Sequence, residues 1–298
     1  GTKFFYANPL QVYPPAYKYN TLGVGKNFTP TRQEWFGCAC CPPNVARIIS
    51  SLGQYIYSQS QDQMQNELYV NLYIQSTADF QIKSGRVALK QKTLYPWDGK
   101  VEITILPEKI DEFILSLRIP GWCRKANVNI NGNQVENIGN LKEKGYLKIK
   151  RQWKPEDLIE LYFDMPVEKI EAHPSVRMNC GRIALQRGPI VYCFEEADNG
   201  ADLADIMLPY GLDAQLKAEY IPELLNGIVV IRGKALRRNK VVWEGKLYQP
   251  ELSDVTDAEE VDFMAVPYHA WCNPKPWEMV VWIPHMAVSP WKCTNLRL

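Results

Sequence analysis

The amino-acid sequence predicts a mainly β protein: two consecutive β-sandwich domains, preceded by a short loop-and-helix segment that bears a cluster of cysteines. Three observations lead there. A length of 298 residues suggests about two domains. Tyr (16), Trp (9), Phe (9) and Pro (21) are abundant, a profile of aromatic strands joined by rigid turns. From Glu67 onward, apolar residues recur at every second position in short runs bounded by turn residues, which is the period of half-buried strands.

Residues 1–35 hold many breakers, among them Asn8-Pro9, Pro14-Pro15, Gly23, Gly25 and Pro30, alongside Phe4, Phe5, Tyr6, Tyr13, Tyr17, Tyr19 and Trp35. So many rings need a surface to cover, and the stretch is expected to be an ordered loop. After Pro42-Pro43-Asn44, the stripe Val45, Ile48, Ile49, Leu52 and Ile56 has the spacing of an amphipathic helix. The prolines suit its entry, where their missing N–H groups would have had no partner. The first strand set comprises 68–74, 87–89, 101–105, 113–119, 128–130 running into Asn131-Gly132, 146–149 and 158–163, with the Asn-Gly pair a hairpin signal. This places the first sandwich at 61–167, with 164–167 as closing strand and connector. A second set, 183–186, 190–194, 228–231, 261–266 and 278–283, defines the second sandwich at 168–298; residues 197–226 are the least regular.

Charge narrows the function. Lys+Arg is 34 and Asp+Glu 33, a formal charge of +1, so nothing draws the chain to nucleic acid. No stretch approaches the 18 or so apolar residues of a membrane span, and GTKFFYANPL lacks a basic-then-apolar leader pattern. A soluble chain is expected, without nucleic-acid or membrane partners. Its compartment is only weakly bounded by these features.

The chemistry concentrates in one segment. Of eight cysteines, Cys38, Cys40 and Cys41 crowd together, while Cys123, Cys180, Cys193, Cys272 and Cys293 are scattered as small hydrophobes would be. Adjacent cysteines do not readily bridge each other, but two sulfurs can hold one cation, and zinc is the obvious candidate. His173, His269 and His285 all lie far downstream, so the site is incomplete locally. Cys40 and Cys41 also precede a helix start, where orphan amides favour a thiolate. On pattern alone, the cluster is either a metal or nucleophile site or three loop cysteines packed beside aromatics.

Other residues have plainer explanations. His269, beside Trp271, is expected to be a satisfied structural histidine. Glu195-Glu196 and Glu259-Glu260 are adjacent pairs pointing to opposite sides of an extended chain, hence solvated charges and not a catalytic dyad. Trp97, Trp122, Trp153, Trp243, Trp277 and Trp282 suit core positions better than a sugar-stacking platform.

Four runs carry a resemblance: FFYANPL, WFGCACCPPNVARIISSLGQYIY, GRIALQRGPIVYCFE and AVPYHAWCNPKPWEMVVWIP. Together they span nearly the whole chain, and it resembles the C-terminal half of glycoside hydrolase family 127, the β-L-arabinofuranosidase family. The resemblance implies an (α/α)6 barrel followed by two β-sandwiches, with residues 1–60 the C-terminal remnant of that barrel. It further implies a retaining mechanism with a zinc-bound cysteine nucleophile, Cys40 by motif match, and Cys41 as a further zinc ligand. The remaining zinc ligands and the catalytic acid/base would lie upstream of FFYANPL. Tyr6, within YANP, either faces the sugar or is a packed aromatic. The expectation is therefore a C-terminal fragment, inactive by itself, of a glycosidase acting on terminal furanosides such as β-L-arabinofuranosides, with a carbohydrate partner. Two rivals are a non-catalytic carbohydrate-binding or oligomerisation module, self-associating through the exposed barrel remnant or the sandwiches, and a thiol redox protein using Cys38 and Cys40.

Overall fold

The structure, a computed structural model, describes residues 3, 5, 8–13, 32, 34, 40–60, 66–83, 85–210, 216–240, 245–248, 258–272 and 278–286. The chain is mainly β and forms two compact units, Ala39–Pro166 and a second made of Gly1–Cys38 with Val167–Leu298. Residues 1–60, expected as one leading segment, are thus divided between them. Among the described residues, no helix is long and apolar enough to cross a membrane.

In the first unit, the predicted helix runs over Cys41–Ser51 and, past Leu52, over Gly53–Ile56. Its apolar stripe is only partly used: Ile56 is buried, while Val45, Ile48 and Ile49 are 51%, 46% and 66% exposed. The chain then enters a five-stranded sheet in the order Lys142–Glu143, Tyr146–Trp153, Asp111–Arg118, Glu67–Val70, Tyr57–Gln59. A six-stranded sheet follows the order Ser76–Ile82, Gly85–Thr93, Lys100–Pro107, Asp157–Phe163, Ala126–Ile130, Asn133–Gln134. Alternation builds the core between them. Leu68, Val70, Leu115, Leu117, Leu147 and Ile149 from the first sheet share one buried cluster with Leu89, Ile103, Ile105, Ile159 and Leu161 from the second, as in a face-to-face sandwich. Trp153 is fully buried there and donates its Nε1–H to the Phe113 carbonyl at 3.1 Å, so the ring adds apolar area without an orphaned donor. Asn131 and Gly132 sit at φ 52° and 79° between Ala126–Ile130 and Asn133–Gln134, the backbone that a two-residue hairpin loop requires.

The second unit departs from a sandwich of two separate sheets. Its strands form one ten-stranded sheet, nine in a continuous order and Lys217–Ile221 branching from Ile228–Arg238. Within it Ile190–Glu195, Ala258–Pro267, Ile228–Arg238, Ile206–Pro209, Ile283–Met286 and Arg182–Arg187 each pair with the next, and the last pairs back with the first, closing a ring. The expected strand 278–283 is split to make this closure. Met279–Val280 pairs with Ile190–Glu195 and with Gln11–Val12, whereas Ile283–Met286 pairs with Arg182–Arg187 and, in parallel, with Ile206–Pro209. An uninterrupted apolar run gives no sign of where a strand changes neighbours. Val167–Glu171, expected to begin as the close of the first sandwich, pairs with Arg182–Arg187 and belongs here.

Candidate functional site

The cysteine segment opens the helix Cys41–Ser51. Cys40 caps it with helical dihedrals, Cys41 is its first residue, and both are exposed. The Asn44 amide closes the first turn by donating to the Cys40 carbonyl at 2.9 Å. The two Sγ atoms stand 3.6 Å apart. Two sulfurs sharing one tetrahedral cation at bond lengths of about 2.3 Å would be separated by ~3.8 Å, so the pair fits two corners of a zinc site. Pro42 and Pro43 occupy the first turn and carry no N–H, so this helix start offers the thiols fewer amide donors than an ordinary one. Among the described residues, no group of three or more His, Cys, Asp and Glu is arranged to hold a metal; a closed zinc site takes four ligands, of which this pair could furnish two. Tyr6 and Cys38 lie outside the described residues.

The histidines are engaged locally in the second unit. His173 Nδ1 accepts from the Ser175 amide at 3.2 Å, His285 packs tilted against Tyr210 with ring centroids 3.9 Å apart, and the His269 backbone carbonyl accepts from Arg32 Nη2 at 2.8 Å. Burial, with Arg32 adding to it, lowers the His269 pKa.

Around His269 the second unit holds an assembly that local sequence pattern does not reveal. Phe5 lies flat on Trp271, with ring centroids 4.1 Å apart and planes within 6°. The Arg32 guanidinium stands 5.0 Å from the Phe5 ring centre and donates from Nε and Nη2 to the Trp271 carbonyl at 3.0 and 2.8 Å. Tyr268 donates its hydroxyl to the Pro9 carbonyl at 2.8 Å. Glu195 corrects the expectation of a solvated charge: it is only 5% exposed, and its Oε1 accepts the Cys272 amide at 2.7 Å. Burial, with Asp198 adding to it, pushes its carboxyl up to about 7 against the pull of the Cys272 amide and Arg32. Cys272 is at φ 57°, a left-handed conformation that aims its amide at this carboxyl. Glu278 is likewise buried, accepts the Leu203 amide at 2.9 Å and has its pKa raised by burial. Glu196 opens the short helix Glu196–Asn199 and accepts the Glu278 amide at 3.1 Å. The inward side of the strand end lies inside the fold.

Comparison with known proteins matches this architecture part by part. Residues 1–54 match the β-L-arabinofuranosidase, GH127 catalytic domain; residues 67–165 the GH127 middle domain; and residues 167–284 the glycoside hydrolase family 127 C-terminal domain. The chain belongs to glycoside hydrolase family 127. A non-reducing end β-L-arabinofuranosidase of Bifidobacterium longum subsp. longum is 31% identical over 290 residues, 94% of this chain and 42% of that protein. The crystal structure of a GH127 β-L-arabinofuranosidase from Geobacillus stearothermophilus T6 is similar with a TM-score of 0.87 and 49% identity, covering 96% of this chain and 43% of that one. A GH127 β-arabinofuranosidase of solved structure gives a TM-score of 0.78 at 34% identity over 97% of this chain and 44% of its own. The chain thus spans less than half the length of these relatives.

Proposed function

We propose that this chain supplies the nucleophile and the two C-terminal β domains of a retaining glycoside hydrolase that releases terminal β-L-arabinofuranosyl units. The observation that carries this proposal is the Cys40–Cys41 pair, with sulfurs 3.6 Å apart, inside the segment that matches the family's catalytic domain. Residues 1–60 are the last loop and helix of a helical (α/α)6 catalytic domain, and the exposed Val45, Ile48 and Ile49 are the face that packs against the rest of it. The β domains that follow, from residue 61 onward, are accessory to it.

Zinc would be held by the Cys40 and Cys41 sulfurs and would keep the nucleophilic sulfur a thiolate at neutral pH. Cys40 Sγ attacks the anomeric carbon from the face opposite the leaving oxygen, forming a C–S bond as the glycosidic C–O bond breaks. The leaving oxygen takes its proton from the acid/base, which family resemblance puts upstream of Phe4. Water, giving a proton to that same residue, then displaces the sulfur. Two inversions leave the configuration retained. Cys41 binds the cation without attacking, and the Asn44 amide on the Cys40 carbonyl holds the turn from which the nucleophile projects.

Hydrolysis of an aryl β-L-arabinofuranoside, with the first-formed anomer followed by NMR, tests the proposal. A full-length enzyme containing these residues should release β-arabinose first, and the 298-residue chain alone should turn over nothing above background. Inverted product, or turnover by the isolated chain that Cys40→Ala abolishes, would overturn the mechanism or the division of labour respectively.

A further inference from the structure

The strands Lys217–Ile221, Ile228–Arg238 and Ala258–Pro267 present a sheet face that the core does not use. Their register pairs Lys217 with Arg232 and Lys234 with Asp262, and the two-residue period sets Glu260 beside them on the same side. Ile231, Ala235, Phe263 and Ala265 turn the other way and are buried. An ordinary charged sheet face is flat and solvated, but this one is hollowed. Its five charged residues surround a cavity of about 590 Å3, inside the range of about 300–1,000 Å3 typical of small-molecule sites, which also reaches Gly233 and the edge of the otherwise buried Phe263. A Cβ at position 233 would turn to the buried side, 2.9 Å from the Phe263 ring and 3.0 Å from Leu216, so core packing keeps this position bare.

The charges are arranged in compensating pairs. Lys234 Nζ lies 2.8 Å from Asp262 Oδ1 and 3.6 Å from Glu260 Oε1, and Arg232 Nε lies 2.7 Å from Glu219 Oε2. An anion entering the cavity would meet Glu260 and Asp262; a cation would meet Lys217, Arg232 and Lys234. A neutral ligand rich in hydroxyls meets neither penalty, since each hydroxyl can donate to a carboxylate while accepting from an ammonium or guanidinium. Apolar ligands would have to strip water from every one of these groups.

We propose that this cavity is a binding site for a neutral saccharide unit. The ligand class rests on the cavity and its charge pattern; the choice of arabinose among sugars rests on the glycosidase proposal. The test is an amide-resolved NMR titration of the 298-residue chain with L-arabinose, methyl β-L-arabinofuranoside and D-glucose, and separately with inorganic phosphate. Saturable shifts at Gly233, Lys234, Asp262 and Phe263 are expected with at least one saccharide. Replacing one charged hydrogen-bonding partner should weaken the binding about tenfold or more, in Asp262→Asn and independently in Glu260→Gln and Lys217→Met, with melting temperatures close to the parent's. Shifts with phosphate alone would overturn the assignment in favour of an anion site. No saturable shift with any of the sugars, or unchanged affinity in the folded variants, would overturn it outright. None of these readouts involves Cys40, so they stand or fall apart from the hydrolysis assay.

Discussion

Glu195 accepts the amide of Cys272 at 2.7 Å, and the carboxyl that makes this contact is buried deeply enough for its pKa to rise to about 7. The contact joins the end of the strand Ile190–Glu195 to the turn that also holds Arg32 and Phe5. It has a consequence for stability.

Between the ordinary carboxyl value of 4.5 and about 7, the folded chain keeps a proton on Glu195 that the unfolded chain has released. The stability linked to that proton is complete below the ordinary value and is lost as pH rises through about 7, a loss of order 3 kcal/mol. Glu278 and Asp198, also raised by burial, add in the same direction. Glu195→Gln keeps an oxygen for the Cys272 amide and removes the ionisation. It should be more stable than the parent at pH 8 and show a flatter urea midpoint from pH 5 to 8. A parent whose midpoint climbs over this window would contradict the assignment.

Trp271 is 3% exposed under Phe5. Trp271→Ala should cost about 3–5 kcal/mol, as large-to-small changes at buried aromatic positions do. Arg32→Ala strips donors from the Trp271 and His269 carbonyls and should cost about 1–3 kcal/mol. Both variants should also speed proteolytic cleavage before residue 34. Urea denaturation and timed proteolysis check the pair, and a Trp271→Ala chain with unchanged midpoint would show that the stack does not anchor the segment.

Ile49, at 66% exposure the most open residue of the helix stripe, should distinguish the isolated chain from a full-length enzyme. Ile49→Lys is expected to change the stability of the 298-residue chain by no more than about 0.5 kcal/mol, the usual size for a surface change. On the proposed arrangement the same substitution in a full-length enzyme would put a charge in a packed interface, and it should lower the melting temperature and activity together. Equal, small effects in both settings would mean that this face has no partner in the catalytic domain.

The sequence made the first unit legible because its strands bury one face and expose the other. Val101, Ile103 and Ile105 alternate with half-exposed neighbours along Lys100–Pro107, and that rhythm is visible without a structure. The strand Ser76–Ile82 escaped notice because it is an edge strand whose inner side carries a polar Ser76 and a small Ala78 beside Phe80 and Ile82. Ring closure in the second unit was not legible: Ile206–Pro209 is buried at every position, so it shows no period, and the break at Val281-Trp282 lies inside an unbroken apolar run. Cys40 and Cys41 were found from their spacing and the motif around them. Arg32 and Glu195 were missed because their partners, His269 to Cys272, are distant in sequence, and nothing local marks Glu195 as buried or Arg32 as engaged.

The central claim is that Cys40 attacks and Cys41 only ligates. Its most direct test is the turnover of Cys40→Ser, Cys41→Ser and Cys38→Ser in a full-length enzyme, compared at matched zinc content. A serine hydroxyl is nearly isosteric with the thiol but far less ionised at neutral pH. Cys40→Ser should therefore abolish turnover with the fold retained, Cys41→Ser should lose metal and regain part of its activity when zinc is added, and Cys38→Ser should be mild. Near-parental turnover by Cys40→Ser, or inactivity of Cys38→Ser alone, would contradict the nucleophile assignment.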